Sequence, residues 1–249
     1  MVKTNNPLII AGPCAIESKN QFFNIVDEIY TFTDIIRAGV WKGRTSPNDY
    51  SGVGERGLNW AQKVQNKYSI PVAIEVGTTK HIELALNYNI KILWIGARTT
   101  ANPFAIQEIA ESLKGVDAEI WVKNPIIADV KLWAGAIDRL KNLGIKKLKT
   151  IHRGFYSDKK NNLRNDPKWD LLYEFQKIHP DLPIISDPSH IAGNSKYIEQ
   201  ISKQAMQKNI NKFMIEVHNF PHKALSDKQQ QISPKEFKIL LKKLKIYSR

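Results

Sequence analysis

The amino-acid sequence predicts an α/β protein of one domain, a (β/α)8 or TIM barrel. The chain has 249 residues, which is the size of one such barrel. Eight short apolar runs rich in Ile and Val do not alternate with polar residues, as is typical of parallel strands buried on both faces. Amphipathic segments separate these runs, so strand and helix alternate along the chain.

Each predicted strand ends at a charged or metal-capable residue. In chain order the eight endings are Cys14 after LIIAGP, Arg37 and Lys42 in IIRAGVWKGR, Glu75 in PVAIEV, Arg98 in ILWIGAR, Lys123 in EIWVK, Arg153 in LKTIHR, Asp187 and His190 in PIISDPSH, and Glu216 in KFMIEVH. The carboxyl ends of barrel strands meet at one face, where the active sites of such barrels lie. We therefore expect one ring of reactive side chains at that face.

Helix starts between the strands carry recognisable capping chemistry. The predicted starts are Ser18 with Gln21 before the helix 19–30, Asn102-Pro103, Asp166-Pro167, and Ser233-Pro234 with Glu236. A capping residue followed by proline at the first helical position satisfies and preorganises the first turn. Segments 51–57 and 158–166 are predicted to be loops at the catalytic face.

No linker, repeat or low-complexity tract indicates a second domain, so we assign residues 1–249 to one barrel. A doubly wound open sheet is the alternative, but it more often has a Gly-rich phosphate loop after its first strand. Here that position reads GPCAIES.

The composition, 42% hydrophobic and 24% charged, is ordinary for a soluble globular protein. No apolar run approaches the roughly 18–20 residues of a membrane span, and the N-terminus lacks the features of a signal peptide. The single cysteine excludes an internal disulfide. These features predict a cytoplasmic protein with no membrane partner.

The basic balance, 37 Lys and Arg against 24 Asp and Glu, has two interpretations. One is a polyanionic partner such as nucleic acid. The other is a lysine-rich surface together with a few buried cations that receive small anions. No zinc finger, recognition helix or stacking motif accompanies the charge, and the densest lysine cluster, 235–245, has an apolar stripe. We predict no nucleic-acid partner.

Four residues form a candidate metal site, namely Cys14, His190, Glu216 and Asp227. They follow the first, seventh and eighth strands, and the first and eighth are neighbours in a closed barrel. A thiolate, an imidazole and two carboxylates suit Mn, Fe, Co or Zn better than magnesium, which prefers oxygen alone. Without a short ligand pair such as CxxC, a core cysteine, a loop-capping histidine and a turn aspartate remain the alternative.

Six cations lie at or just past strand ends: Arg37, Lys42, Arg44, Arg98, Lys123 and Arg153. Buried cations are unfavourable without partners, and guanidinium groups bind carboxylate and phosphate with two parallel hydrogen bonds. Pairing with Glu75, Asp187 and Glu216 is the structural alternative. Because six cations outnumber three acids, we expect a small substrate with more than one anionic group.

At these residues the chain resembles the 3-deoxy-D-arabino-heptulosonate-7-phosphate (DAHP) synthases, in their compact type I (β-like) form. AGPCAIES, KGRTSP, GARTTANPF, the lysine of WVKNP, HRGF, DPSHIAG and EVHNFPHKALSD occur in family order over nearly the whole chain. The combination is far more specific than any one of its parts. The related 3-deoxy-D-manno-octulosonate-8-phosphate (KDO8P) synthases typically have a longer KANRS segment after strand two.

The resemblance implies a metal-dependent condensation of phosphoenolpyruvate with erythrose 4-phosphate, the first step of the shikimate pathway. It implies Cys14, His190, Glu216 and Asp227 as metal ligands. It assigns phosphoenolpyruvate to Arg37, Lys42, Arg98, Lys123 and Arg153, and the phosphate of erythrose 4-phosphate to Arg44, Thr45 and Ser46. Asp227 and Arg44 lie beyond their strands, so the strand pattern alone does not find them. Glu75, together with Lys42, is our candidate for positioning the water that must add before phosphate leaves.

The sequence departs from the family pattern in three places: Gly43 for proline, Lys228-Gln229 for Gly-Pro, and His152 for glutamate. None removes a ligand, and each bears on substrate affinity more than on reaction type. We also expect a homo-oligomer (dimer or tetramer), no regulatory or chorismate mutase domain, and no feedback inhibition by aromatic amino acids.

The alternative activities are a KDO8P synthase that uses arabinose 5-phosphate, and a Schiff-base aldolase that uses Lys123. A basic barrel that binds polyanions without turnover is the non-enzyme alternative.

Overall fold

The computed structural model describes residues 7–158 and 162–246 and confirms the predicted (β/α)8 barrel. Eight parallel strands pair in sequence order, and the first closes on the eighth. The strands are β1 Leu8–Gly12, β2 Ile35–Ala38, β3 Val72–Val76, β4 Ile92–Ile95, β5 Glu119–Lys123, β6 Leu148–His152, β7 Ile184–Ser186 and β8 Lys212–Glu216.

Helices surround the strands and join each one to the next. They are α1 Lys19–Ile29, α2 Glu55–Tyr68, α3 Thr79–Asn87, α4 Ala97–Thr100, α5 Pro103–Ser112, α6 Val130–Asn142, α7 Trp169–Ile178, α8 Pro188–Ala192, α9 Ile198–Gln207 and α10 Pro234–Lys243. Their apolar faces pack on the outward side chains of the strands to form the main core. No helix in the described ranges has the length and apolar character needed to span a bilayer.

The barrel interior is a separate core, with one buried residue from each strand: Ile10, Ile35, Ala73, Trp94, Trp121, Ile151, Ile185 and Met214. Side chains of a strand alternate between faces with a period of two. The residue two positions further along each strand therefore also points inward, one layer nearer the carboxyl ends. In β2, β3, β5 and β8 these residues are Arg37, Glu75, Lys123 and Glu216, so the packed core directly supports a charged layer.

The helix starts were predicted with mixed success. Asn102 caps α5 with Pro103 in its first turn, and Ser233 with Glu236 forms a full capping box on α10. Ser18 caps α1, but the Gln21 side chain bonds to the Glu17 N–H rather than completing a capping box.

The predicted helix start at Asp166-Pro167 is wrong. Helix α7 begins at Trp169 instead. The Asp166 backbone pairs with Phe155 in an isolated bridge, and the Asp166 side chain accepts a hydrogen bond from the Lys168 N–H. These local bonds compete with helix formation.

The two predicted loops also differ in outcome. The segment 51–57 is only partly a loop, because α2 begins at Glu55. The segment 158–166 falls partly on residues 159–161, which lie outside the described residues.

Candidate active site

A cluster of three metal-capable side chains lies at the carboxyl end of the barrel. Single ligand atoms of Cys14, Glu216 and Asp227 all lie within 4.8 Å of one another. The Cys14 thiol is 3.2 Å from Asp227 Oδ2 and 2.9 Å from the Ser226 hydroxyl. A soft sulfur and two hard oxygens in one place can hold a borderline divalent ion.

Strand pairing and one turn bring these residues together. Gly12 of β1 pairs with Glu216 of β8, and Cys14 follows Gly12 by two residues. Asp227 reaches the cluster from the loop after β8, where it has a left-handed backbone (φ 47°). Aspartate is among the few residues other than glycine that adopt this conformation readily.

His190 lies beside this cluster rather than within it. Its Nδ1 is 2.9 Å from Asp187 Oδ2 and 3.9 Å from Glu216 Oε1. Asp187 also accepts a hydrogen bond from the His190 backbone N–H, which fixes the loop and keeps the carboxylate next to the ring. Histidine ligands commonly have such a carboxylate behind them. The assignment of His190 as the fourth ligand stays a prediction.

The surroundings of the cluster favour a protonated Cys14 thiol and an ionised Glu216 carboxylate. Burial and the Glu216 carboxylate raise the pKa of the Cys14 thiol to about 12. Burial also raises the pKa of Glu216, but the His190 ring and the Arg37 guanidinium outweigh it and leave that pKa below its usual value. An ion bound here would therefore displace the thiol proton.

Next to the cluster lies a cleft of about 560 Å³. The described residues of its walls include six cations, namely Lys42, Arg44, Arg98, Lys123, Arg153 and Arg164. Five of these belong to the set of cations expected at or just past the strand ends, and Arg164 was not predicted. Arg37, the remaining member of that set, is fully buried below the cleft and forms an ion pair with Glu216 at 3.0 Å.

The cations of the cleft fall into two groups. Lys123 pairs with Asp187 at 2.9 Å, Arg164 with Asp227 at 3.1 Å, and Lys42 lies 4.0 Å from Glu75. Arg44, Arg98 and Arg153 have no carboxylate within 4.0 Å among the described residues. Burial lowers the pKa of Arg153 to about 10, so it stays charged at neutral pH. Three cations without acidic partners make the cleft a receptor for anions.

The segment 44–46 lies partly outside the cleft. Arg44 lines it, but its guanidinium donates hydrogen bonds to the Ser226 hydroxyl and the Tyr50 carbonyl. Thr45 accepts a hydrogen bond from Arg98 at 3.2 Å. Ser46 closes a local turn by accepting from the Asn48 N–H. The structure thus brings Arg44 and Thr45 to the rim and keeps Ser46 within its own loop.

Glu75 depends on a glycine opposite it. A Cβ atom added at Gly96 would lie 2.3 Å from Glu75 Oε1, so only glycine leaves room for the observed carboxylate position. Glu75 also lines the cleft beside Lys42, where it could act on a bound molecule.

Sequence reasoning missed five polar residues behind the cluster: Arg164, Asn165, Ser226, Gln230 and Gln231. Asn165 accepts a hydrogen bond from Arg153 at 2.8 Å and donates to the His190 carbonyl at 2.7 Å. The only sequence signal for these five missed residues is their position within or next to the motifs. Asn165 lies at the end of the segment 158–166, and Gln230 and Gln231 follow ALSDK.

None of the three departures from the family pattern contributes a side chain to the cluster. His152 points outward, against Phe155 and Trp169, and its Nε2 lies 2.7 Å from the Pro167 carbonyl. A Cβ at Gly43 would meet open space. Lys228 and Gln229 are exposed. They change packing and loop surface, while Cys14, Glu216 and Asp227 stay together.

The barrel and the side chains at its carboxyl end define a class of protein: a parallel (β/α)8 enzyme with a metal-capable cluster beside a cationic cleft. The family model of the DAHP synthetase I family matches residues 3–248. The chain belongs to this family. The family and enzyme class predicted from the motifs, the DAHP synthases, are thereby confirmed.

Individual relatives support this family assignment. A phospho-2-dehydro-3-deoxyheptonate aldolase of Thermotoga maritima is 28% identical over 238 residues, covering 95% of this chain and 68% of the relative. A 2-dehydro-3-deoxyphosphooctonate aldolase of Geobacter sulfurreducens is 24% identical over 261 residues, covering 97% of this chain and 92% of the relative. The crystal structure of the Thermotoga maritima DAHP synthase superposes with a TM-score of 0.85 over 97% of this chain and 69% of that chain, at 24% identity, which shows the shared fold.

Proposed function

We propose that the chain condenses phosphoenolpyruvate with erythrose 4-phosphate to give DAHP and phosphate, in the cytoplasm and with a divalent metal ion. The observation that carries the proposal is the cluster of Cys14, Glu216 and Asp227 beside three arginines that have no carboxylate partner within the described ranges. Family membership over residues 3–248 supports the same chemistry.

The cleft has the charge distribution that two phosphorylated substrates need. We assign the phosphate and carboxylate of phosphoenolpyruvate to Arg98, Lys123 and Arg153, with Lys42 and Arg37 at the inner end. Arg44 and Thr45 lie at the outer rim and would receive the phosphate of the sugar. Holding the two reacting carbons in contact supplies much of the rate enhancement in such a bimolecular reaction.

We assign Glu75 and Lys42 to proton transfer and to the water that takes part in the reaction. Glu75 faces the cleft within 4.0 Å of Lys42, and we assign this pair to orient the water that adds to the former enol carbon. The carboxylate can accept a proton from that water. If Glu75→Gln kept near-normal turnover, this role would be withdrawn.

The donor set at the cluster fits Mn, Fe, Co or Zn, held by Cys14, Glu216 and Asp227, with His190 as the fourth predicted ligand. The ion would supply Lewis-acid polarisation of the sugar aldehyde. Asp187 would hold the His190 ring, and the cations of the cleft would hold the substrates.

The sugar is the open choice, because KDO8P synthase relatives match at 23–26% identity, close to the 28% of the DAHP synthase relative. The compact KGRTSP segment favours the four-carbon sugar. Phosphate release from phosphoenolpyruvate should be measured with erythrose 4-phosphate and with arabinose 5-phosphate. A preference for arabinose 5-phosphate would overturn the assignment.

The same assay with a chelator separates the metal-dependent reaction from a Schiff-base aldolase. Lys123 is ion-paired with Asp187 at 2.9 Å, so the nitrogen that a Schiff base would use is already engaged by a carboxylate. We expect the chelator to abolish turnover and added metal to restore it. Borohydride trapping with chelator-resistant turnover would instead support the aldolase.

A homo-oligomer remains our prediction, testable by light scattering.

A further inference from the structure

Three consecutive glutamines, Gln229 to Gln231, follow Lys228 in the loop after β8, and each has a different environment. Gln229 is exposed, whereas Gln230 and Gln231 are 1% and 2% exposed. Buried amides are normally held by hydrogen bonds, and one hydrogen-bond partner of each of these two glutamines is a predicted metal ligand.

Gln230 holds Glu216. Its Nε2 donates to Glu216 Oε2 at 2.7 Å, and its Oε1 accepts from Arg164 Nη1 at 2.6 Å. Because a guanidinium can only donate and a carboxylate can only accept, these two partners determine which end of the amide faces Glu216. Arg164 also contacts Asp227 at 3.1 Å, so one chain of contacts joins both carboxylates.

Gln231 holds Cys14. Its Oε1 accepts from the Cys14 N–H at 3.0 Å, and its Nε2 donates to the Ser226 carbonyl at 2.8 Å. Ser226 in turn contacts the Cys14 thiol through its hydroxyl. The bond ties the end of β1 to the loop after β8, across 217 residues of sequence.

We propose that Gln230 and Gln231 are positioning residues that preorganise the metal ligands Glu216 and Cys14. This inference rests on the proposed metal site. A neutral amide orients a ligand without the positive charge with which Arg37 or Arg164 would oppose a bound cation. Outer partners of this kind are worth about 10–100-fold in metal affinity.

The exposed Gln229 serves as the control position for Gln230 and Gln231. Co²⁺ affinity, measured by chelator competition without substrate, is compared for the wild type and for Gln229→Leu, Gln230→Leu and Gln231→Leu. We expect Gln229→Leu to bind like the wild type and the other two to bind about 10–100-fold more weakly. Equal affinities for all four proteins would overturn the proposal.

Spectroscopy distinguishes positioning from a general loss of structure. A thiolate bound to Co²⁺ gives a charge-transfer absorption band. Gln231→Leu should shift or weaken this band, whereas Gln230→Leu should preserve it at saturating Co²⁺. Identical bands in all variants would contradict the separate assignments. If a leucine variant fails to fold, as judged by thermal melting without metal, Gln230→Met and Gln231→Met retain the unbranched shape.

The outcomes also separate this inference from the proposed function. A wild-type protein that binds Co²⁺ but does not condense the substrates contradicts the reaction and leaves the glutamine comparison intact. A wild-type protein that binds no Co²⁺ contradicts both.

Discussion

At the scale of single residues, the absence of a side chain matters as much as its presence. Gly96 provides the space that the Glu75 carboxylate occupies. We predict that Gly96→Ala displaces Glu75 and lowers kcat at least tenfold. The melting temperature should change by only a few degrees, because the added methyl meets the flexible end of a side chain.

Steady-state kinetics and thermal melting test this prediction. Gly135→Ala in α6 is the control, because it adds the same methyl inside a helix away from the cleft, with Arg139 Nη1 3.4 Å away. It should leave kcat unchanged and raise stability by about 0.5–1 kcal/mol. Unchanged kcat in Gly96→Ala would show that turnover does not depend on the position of Glu75.

We predict that His152 makes the fold sensitive to acid. Burial lowers the pKa of His152 from 6.5 to about 4. Between these two values the unfolded chain takes up a proton that the folded protein does not, so stability falls as the pH falls. The effect amounts to about 3 kcal/mol over that interval.

Urea unfolding between pH 7 and pH 4.5 measures this dependence. His152→Phe should be less stable at pH 7, because it loses the contact with the Pro167 carbonyl, yet its stability should vary less with pH. The exposed His222→Gln should behave like the wild type. An equally steep dependence in His152→Phe would assign the acid sensitivity to other groups.

At the scale of elements, one aromatic pair secures the segment after β2. The Trp41 and His81 rings stack at 4.0 Å with an interplanar angle of 4°, and His81 Nδ1 accepts from the Gly77 N–H. The segment that follows Trp41 carries Lys42, Arg44 and Thr45, so the stack fixes these residues against α3.

We predict that His81→Ala raises KM for the sugar phosphate about 2–10-fold. This range corresponds to the loss of one aromatic pair, which contributes about 0.5–1.5 kcal/mol. His81→Phe retains the stack and should keep KM near that of the wild type. If both variants raise KM equally, the histidine acts through its nitrogen atoms rather than through stacking.

The elements also show how far sequence reasoning reaches. All eight strands were predicted, because buried parallel strands leave uninterrupted apolar runs. The strand endings predicted four of the six cleft cations among the described residues, because the carboxyl ends of barrel strands meet at one face. Arg44 was found through the family resemblance. The start of α7 was mispredicted, because Asp166 bonds locally instead. Gln230, Gln231 and Arg164 were missed, because their role depends on contacts between residues distant in the sequence.

At the scale of the whole molecule, the metal-capable cluster lies across the seam that closes the barrel. Cys14 follows β1, Glu216 ends β8, and these strands are hydrogen-bonded neighbours. An ion held by both would stabilise the closed barrel over the unfolded chain, since a ligand that binds only the folded state raises its stability.

We predict that Co²⁺ at about 100 times its Kd stabilises the protein by about 2.7 kcal/mol, a rise in melting temperature on the order of 5–10 °C. A chelator should reverse the rise, and Cys14→Ala should abolish most of it. Gln229→Leu should retain it, because Gln229 is exposed and holds no ligand. An equal rise in Cys14→Ala and the wild type would place the ion elsewhere on this basic protein, and the cluster would then lose its role in the proposed reaction.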